Sequence, residues 1–374
     1  MKSIKIVAES SIPYLRGVIE RLGEVTYLPS ARFAPDAIRD ADWLIIRSIT
    51  RCDEALLRGS RVRLITSATI GFDHIDTGYC ARMGITWYNA PGCNAEAVAQ
   101  YFATAMALLS EERGYDLHGK VLGIVGVGHV GKLIKRNAEA LGLKVLLNDP
   151  PRAEKEGEQS FVSLREIAQA SDIITLHVPL EMNGKYPTYH LVDTAFVESL
   201  QKSPIIVNAC RGSVTDTQAL IRGLADGHID SVVLDCWENE PHISRELLDK
   251  AWLATPHIAG FSAQGKANGA RIAVQKGMAF FGLEEDVDAL LTPPPLEDPL
   301  LRLTPNEAPL SQALLKAFNI REIDKTLRAQ TDSFERLRKE YHYPYEPSQY
   351  TLMADEVGAE AFSAEALGFR VRKK

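Results

Sequence analysis

Arg211, Glu240 and His257 each follow closely on a short apolar run, at Ile205–Asn208, Val232–Leu234 and Leu253–Ala254. A guanidinium fork suits bidentate contact with a carboxylate. An imidazole titrates near neutral pH and can exchange a proton with a hydroxyl. A carboxylate beside it orients the ring and stabilises its charged form. Together the three suit removal of a hydroxyl proton from an acid-bearing substrate while hydride leaves the same carbon. Singly, each has a plainer reading. Arg211 could be a surface arginine leaning off a strand end. Asp235, Glu238 and Glu240 could form a solvated loop before the next helix, and a lone histidine is often structural.

Such chemistry needs a hydride acceptor, and the run GIVGVGHVG supplies a place for one. Gly126 allows a sharp turn after the apolar stretch Val121–Val125. Gly128 allows backbone N–H groups to approach a pyrophosphate, and Gly131 allows the following helix to pack close. The N-terminus of that helix, starting at His129 and Val130, turns partial positive charge toward phosphates. Asp149, closing the next apolar stretch, would accept ribose hydroxyls and repel a 2′-phosphate. The pattern therefore points to NAD rather than NADP, with nearby Arg152 softening that preference slightly.

The elements that must position these residues alternate along the chain. Strands are predicted at Ile4–Ala8, Val25–Leu28, Trp43–Arg47, Val62–Ser67 and Ile85–Tyr88, with helices at Tyr14–Leu22, Asp53–Leu57 and Ile75–Arg82. A long helix is predicted over Ala95–Arg113. Six more strands follow: Val121–Val125, Lys144–Leu147, Ile173–Val178, Ile205–Asn208, Val232–Leu234 and Leu253–Ala254. Between them helices are predicted at His129–Leu141, Leu164–Ala170, Thr194–Leu200, Asp216–Leu224 and Ser244–Ala251. Gln264–Phe281 reads as a helix returning to the first domain. After the proline run 293–295, helices are expected at Ser311–Phe318, Asp332–Tyr341 and near Ala359–Leu367, with strands near Tyr350–Met353 and at the end.

The expected fold is α/β, with two doubly wound, Rossmann-like parallel-sheet domains and a small C-terminal α+β unit. The boundaries read as residues 1–98 with 261–285, then 99–260, then 286–374.

Composition narrows the function. With 374 residues, 45% hydrophobic and 24% charged, the chain is that of an ordinary globular protein. A formal charge of −7 without a long basic run argues against a nucleic-acid partner. No apolar segment is long enough for a membrane span, and the N-terminus does not read as a signal peptide. Five scattered cysteines without a CxxC pair read as reduced thiols of a cytoplasmic protein, and no metal-ligand spacing is present.

The motifs GIVGVGHVG, LHVPL (Leu176–Leu180), NACRGSVTD (Asn208–Asp216), VVLDCWENEP (Val232–Pro241) and TPHIAG (Thr255–Gly260) stand in one order and spacing. In this the chain resembles the D-isomer-specific 2-hydroxyacid dehydrogenases over about residues 1–285. The resemblance implies that Arg211, Glu240 and His257 are catalytic and that Asp235 lies on the nicotinamide side. It implies further NAD contacts at His129, Val130, Val178, Ala209, Cys210, Arg211 and Gly260. It also implies substrate contacts at Ser48 and Thr69, with a phosphorylated 2-hydroxy acid as substrate and a homodimer formed through the C-terminal block. At position 261 the family has a substrate-contacting Tyr. Phe261 stands there in this chain, so no hydrogen bond from that ring can form. Arg47, Lys266 and Arg271 are candidates for holding a phosphate. Two rival readings are a member acting on D-3-phosphoglycerate and an NAD(H)-sensing binding protein. The third block lacks a βαββαβ regulatory pattern, which disfavours the former; short tails disfavour the latter.

Overall fold

The computed structural model describes residues 3–304 and 307–373. Two compact units emerge, Met1–Asn94 with Ser262–Pro295, and Ala95–Phe261 with Leu296–Lys374.

The first unit is built on five parallel strands: β1 (Lys5–Glu9), β2 (Glu24–Leu28), β3 (Trp43–Ile46), β4 (Leu64–Ser67) and β5 (Thr86–Tyr88). Their order is β2-β1-β3-β4-β5. β3 and β4 are buried along their whole length; β3 accordingly reads as an unbroken apolar run, while β4 ends in the buried polar residues Thr66 and Ser67. Helix Ala263–Phe281 packs on this sheet, and Gly277 makes the approach possible. A Cβ there would stand 1.9 Å from Cζ2 of Trp43. The helix expected at Tyr14–Leu22 does not form; only a 3-10 turn at Ile19–Arg21 is present. Tyr14 and Gly17 both take positive φ, 66° and 81°, which no right-handed helix can contain. Spacing of apolar residues gave a helical signal that this local backbone overrides.

The second unit carries six parallel strands: β6 (Val121–Val125), β7 (Lys144–Asn148), β8 (Ile173–Leu176), β9 (Ile205–Asn208), β10 (Ser231–Leu234) and β11 (Leu253–Ala254). They are ordered β11-β10-β9-β8-β6-β7. The first strand, β6, therefore has its successors on both sides. Such a reversal opens a crevice at the carboxyl ends of the strands, where ligands of open α/β sheets sit. Helix Ala95–Arg113 is buried without a break from Ala97 to Leu109.

The C-terminal segment folds onto this same unit. Helices Pro309–Ala317, Ile320–Ala329 and Phe334–Lys339 are followed by two parallel strands, β12 (Thr351–Met353) and β13 (Arg370–Arg372). Helix Ile320–Ala329 escapes the sequence reading. Its buried face is narrow, Ile320, Asp324 and Leu327, and one of the three is an acid. Asp324 accepts the Ala254 N–H at 2.8 Å and pairs with Arg321 and Arg328. It thus ties the segment to the last strand, just ahead of His257.

Candidate active site

Parallel strands put their carboxyl ends on one edge, so the loops after β6, β7, β8, β9, β10 and β11 share it. After β6 the glycine turn takes the shape its composition requires. Gly126 has φ +90°, and a Cβ there would lie 2.5 Å from the His177 carbonyl oxygen. A Cβ on Gly131 would lie 2.2 Å from the Gly126 oxygen, so only glycine lets helix His129–Ala140 sit this close. Beside Gly128 a Cβ would meet nothing, and no side chain caps the helix there. The N–H groups at that end therefore face open space, a cradle that fits a pyrophosphate.

Asp149 braces the cradle. One carboxylate oxygen accepts the Val127 N–H at 2.8 Å, and the other caps helix Pro150–Glu156 through Arg152 N at 3.1 Å. That helix is absent from the sequence reading; it opens on Pro150 and Pro151, and prolines are well tolerated at the first turn. The Arg152 guanidinium is engaged by Glu156 and by the Val127 carbonyl. Val178 follows β8, and its Cγ1 would lie 2.9 Å from a Cβ on Gly126.

Three loops then carry the candidate chemical groups. After β9, Asn208 shapes the turn by accepting from Cys210 N at 3.1 Å and donating to the Arg211 carbonyl at 3.0 Å. Ala209 and Cys210 lie within this turn, and Arg211 Nη1 donates to the Cys210 oxygen at 2.7 Å. Gly212 lies flat on the next loop, for a Cβ there would fall 1.9 Å from the Trp237 carbonyl oxygen. This contact brings the arginine loop against the loop of Glu240.

After β10 the structure gives each of three acids a different set of partners. Glu238 turns to His190, 2.7 Å from its Nε2, and to the Thr217 N–H at 2.8 Å. Glu240 Oε2 lies 2.7 Å from Nδ1 of His257, while Oε1 accepts the Trp237 N–H at 2.8 Å. Burial works to raise the Glu240 carboxyl. The His257 hydrogen bond and charge, the Trp237 N–H and the Arg338 charge outweigh it and hold the group below the usual glutamate range.

Asp235 is buried beneath the third loop. Its Oδ1 accepts from Thr255 Oγ1 at 2.7 Å and Ile258 N at 2.7 Å, and its Oδ2 from Ala259 N at 2.9 Å. The Asp235 carbonyl takes the His257 N–H at 2.8 Å. Burial pushes this carboxyl up, against the pull of His257 and of those donors. The cage holds His257 at φ 56°, a left-handed backbone that histidine visits rarely, and sets Gly260 and Phe261 just beyond it.

Thr255, Trp237 and Tyr101 belong to the same scaffold, and sequence gave no reason to single them out. Tyr101 Oη bonds Thr255 Oγ1 at 2.9 Å, and Trp237 Nε1 donates to the Thr255 carbonyl at 3.0 Å. Cys236 is buried beside them, and its Sγ lies within 4.8 Å of a ligand atom of both Glu240 and His257.

In the first unit, Ser48 is exposed and Thr69 half-buried. Thr69 Oγ1 bonds Ser67 Oγ at 2.7 Å and the Gly71 carbonyl at 3.2 Å. The loop 47–50 is organised by Glu9, a wholly buried acid at the end of β1. It accepts from Arg47 N at 3.0 Å, Thr50 Oγ1 at 2.8 Å and Ser11 Oγ at 2.6 Å. Arg271 is committed to Asn268 and the Leu291 carbonyl, and Arg47 reaches Ser11. Arg271 therefore serves the scaffold of its own unit.

A parallel sheet with an open glycine cradle, an imidazole–carboxylate pair and an adjoining arginine loop defines an NAD-linked dehydrogenase of hydroxy acids. The family model for the D-isomer specific 2-hydroxyacid dehydrogenase NAD binding domain matches residues 95–259. Erythronate-4-phosphate dehydrogenase of Porphyromonas gingivalis is 50% identical over 367 residues, 97% of this chain and 98% of that one. The enzyme of the same name from Edwardsiella ictaluri is 41% identical over 99% of this chain and all of its own. The NAD+-bound 3-phosphoglycerate dehydrogenase of Entamoeba histolytica superposes with a TM-score of 0.64 at 26% identity, covering 75% of this chain and 96% of that one. This chain belongs to the D-isomer-specific 2-hydroxyacid dehydrogenase family. The two near-full-length relatives named above carry the name erythronate-4-phosphate dehydrogenase.

Proposed function

We propose that this chain oxidises 4-phospho-D-erythronate with NAD to (R)-3-hydroxy-2-oxo-4-phosphooxybutanoate, a step of pyridoxal 5′-phosphate biosynthesis. The observation that carries the reading is the His257–Glu240 pair, set at the carboxyl edge of a sheet with an open phosphate cradle. Near-full-length identity to two enzymes of that name supports the substrate.

Bound NAD supplies a nicotinamide ring that accepts hydride. The chain's own residues handle the proton and the charge. With Nδ1–H donated to Glu240, the Nε2 lone pair of His257 is left to take the proton of the substrate's C2 hydroxyl. As that O–H bond breaks, the C2–H bond yields its electron pair as hydride and C2 becomes a ketone. Glu240 stabilises the imidazolium that results. Arg211 holds the C1 carboxylate and polarises the developing C2 oxygen. Asp235 keeps the histidine loop in place, and Gly126, Gly128, Gly131, His129, Val130 and Asp149 form the dinucleotide site. Ser48 and Thr69 are assigned to substrate. Residues 1–98 with 261–285, 99–260 and 286–374 are the proposed substrate, nucleotide and dimerisation blocks.

A homodimer through the C-terminal block belongs to this reading, and Phe362, 82% exposed on helix Ala361–Ala366, is the position chosen to test it. Sedimentation of wild type against Phe362→Asp tests it. No helix among the described residues is long and apolar enough to cross a membrane. The five cysteines are all buried and none is placed in a disulfide, which supports a cytoplasmic setting. The decisive assay is NADH formation by purified protein against a panel of phosphorylated and plain D-2-hydroxy acids. A clear preference for D-3-phosphoglycerate over 4-phospho-D-erythronate overturns the reading.

A further inference from the structure

A cation from the C-terminal segment reaches the edge of the catalytic pair. Arg338 lies on helix Phe334–Lys339, and its Cζ stands 5.9 Å from the centroid of the Phe261 ring. Phe261 is four residues past His257 and closes the same turn, its N–H donating to the Ile258 carbonyl at 2.7 Å. The guanidinium also counts among the charges felt by Glu240. Tyr341 and Tyr343 frame the Phe261 ring, with centroids at 6.4 and 5.8 Å, and help fix the platform under the cation.

Three neighbouring arginines of this segment are committed elsewhere. Arg321 pairs with Glu112 and Asp324, Arg328 with Asp324 and two carbonyls, and Arg336 with Gln330, Ser333 and Glu340. Arg338, half-buried, makes no hydrogen bond or ion pair among the described residues. A half-buried guanidinium lying on an aromatic face, with its donors unspent, is suited to a phosphate or carboxylate. Phe261 has no hydroxyl to offer a ligand, so the donor at this position is the arginine above it.

We propose that Arg338 binds the phosphate of the substrate and so sets the preference for a phosphorylated acid. The proposal rests on the function argued above. That substrate carries two anionic ends, and Arg211 takes one of them. The other lies two carbons beyond the reacting centre, on the side away from the carboxylate, and needs a cation of its own. The solved relative described above is covered over 96% of its length but matches only 75% of this chain. A segment the size of Leu296–Lys374 is thus additional to that common frame, and it delivers this arginine.

The test compares wild type, Arg338→Ala and Arg338→Lys with 4-phospho-D-erythronate and with plain D-erythronate. For Arg338→Ala, kcat/KM on the phosphorylated acid should fall roughly 10- to 100-fold, mostly through KM, with the plain acid changed less than about twofold. Arg338→Lys should recover part of the loss. Calorimetric binding of inorganic phosphate to the NADH complex should weaken in Arg338→Ala by a similar factor. An equal loss on both acids with unchanged phosphate affinity overturns the proposal and makes Arg338 a residue acting through Glu240. Should wild type turn over neither acid, the substrate reading fails, and phosphate affinity alone still decides the role of Arg338. An unchanged melting temperature confirms that the variants are folded.

Discussion

Nδ1 of His257 lies 2.7 Å from Oε2 of Glu240, a contact made across seventeen residues of chain and completed by the Trp237 N–H on the other carboxylate oxygen. The pair is expected to act as one device. His257→Ala should lower kcat by about 10²- to 10⁴-fold while leaving NADH binding intact. Glu240→Gln should cost a comparable factor, and the double variant little more than either single one. Steady-state kinetics with fluorescence titration of NADH checks all three; additive losses would separate the two residues.

The depressed Glu240 carboxyl has a consequence in acid. Its pKa in the folded state lies below the ordinary value of 4.5, so the unfolded chain takes up this proton first as pH falls. The stabilisation is whole above that value and is lost as pH drops below it. Denaturant unfolding of wild type should therefore weaken between about pH 5 and pH 3 more than that of Glu240→Gln. Parallel curves would show that the pair adds nothing to folding.

His177 responds over a different window. Burial pushes its imidazole down to about 3 from 6.5, and its ring meets Thr175 Oγ1 at 2.9 Å. The unfolded chain binds the extra proton below pH 6.5, so stability declines as pH falls through that range. Because the residue keeps some exposed surface, the expected loss between pH 7 and pH 5 is ~1 kcal/mol rather than the full shift. Chemical denaturation at the two pH values should show a smaller difference in His177→Asn.

Two glycines predict opposite outcomes for one methyl group. At Gly212 a Cβ meets the Trp237 carbonyl at 1.9 Å, so Gly212→Ala should cost ~1–3 kcal/mol and lower kcat/KM by displacing Arg211. At Gly128 the Cβ meets no protein atom, so Gly128→Ala should melt like wild type yet bind NADH more weakly. Thermal melts and NADH titration of the two variants distinguish these cases.

Asp149 offers a test of cofactor choice. Its carboxylate supports the glycine turn through Val127 and would stand against a 2′-phosphate. Asp149→Asn keeps an oxygen for the Val127 N–H and removes the charge. The ratio of kcat/KM for NAD over NADP should then fall by about tenfold or more, since like charges brought together cost several kcal/mol. A constant ratio would leave Asp149 as a local brace only.

Much of the nucleotide sheet was legible because buried parallel strands are written as short apolar runs, and β6, β9 and β11 fall where those runs do. Glycine roles were legible for the same reason: spacing alone says which turn must be tight. The parts that were not legible depend on partners far away in sequence. The VVLDCWENEP motif singled out Glu240, but its physical difference from Glu238 lies in which histidine each one meets. Tyr14–Leu22 carried helical spacing, but the positive φ of Tyr14 cannot be read from a side chain. Helix Ile320–Ala329 hid because one of its buried residues is Asp324, whose counter-charges come from its own face and whose further partner is a strand N–H. The approach of Arg338 to Phe261 was invisible, since only the folded segment brings the two together.

The left-handed backbone of His257 sits over a single carboxylate that fastens three successive parts of its loop. The imidazole therefore has little torsional freedom left to surrender when a ligand arrives. Conformational entropy is given up once, as the chain folds, and need not be given up again in each catalytic cycle. Loosening that anchor, as in Asp235→Asn, would leave every reacting group present and still slow the enzyme, because the imidazole would have to find its orientation anew on each turnover.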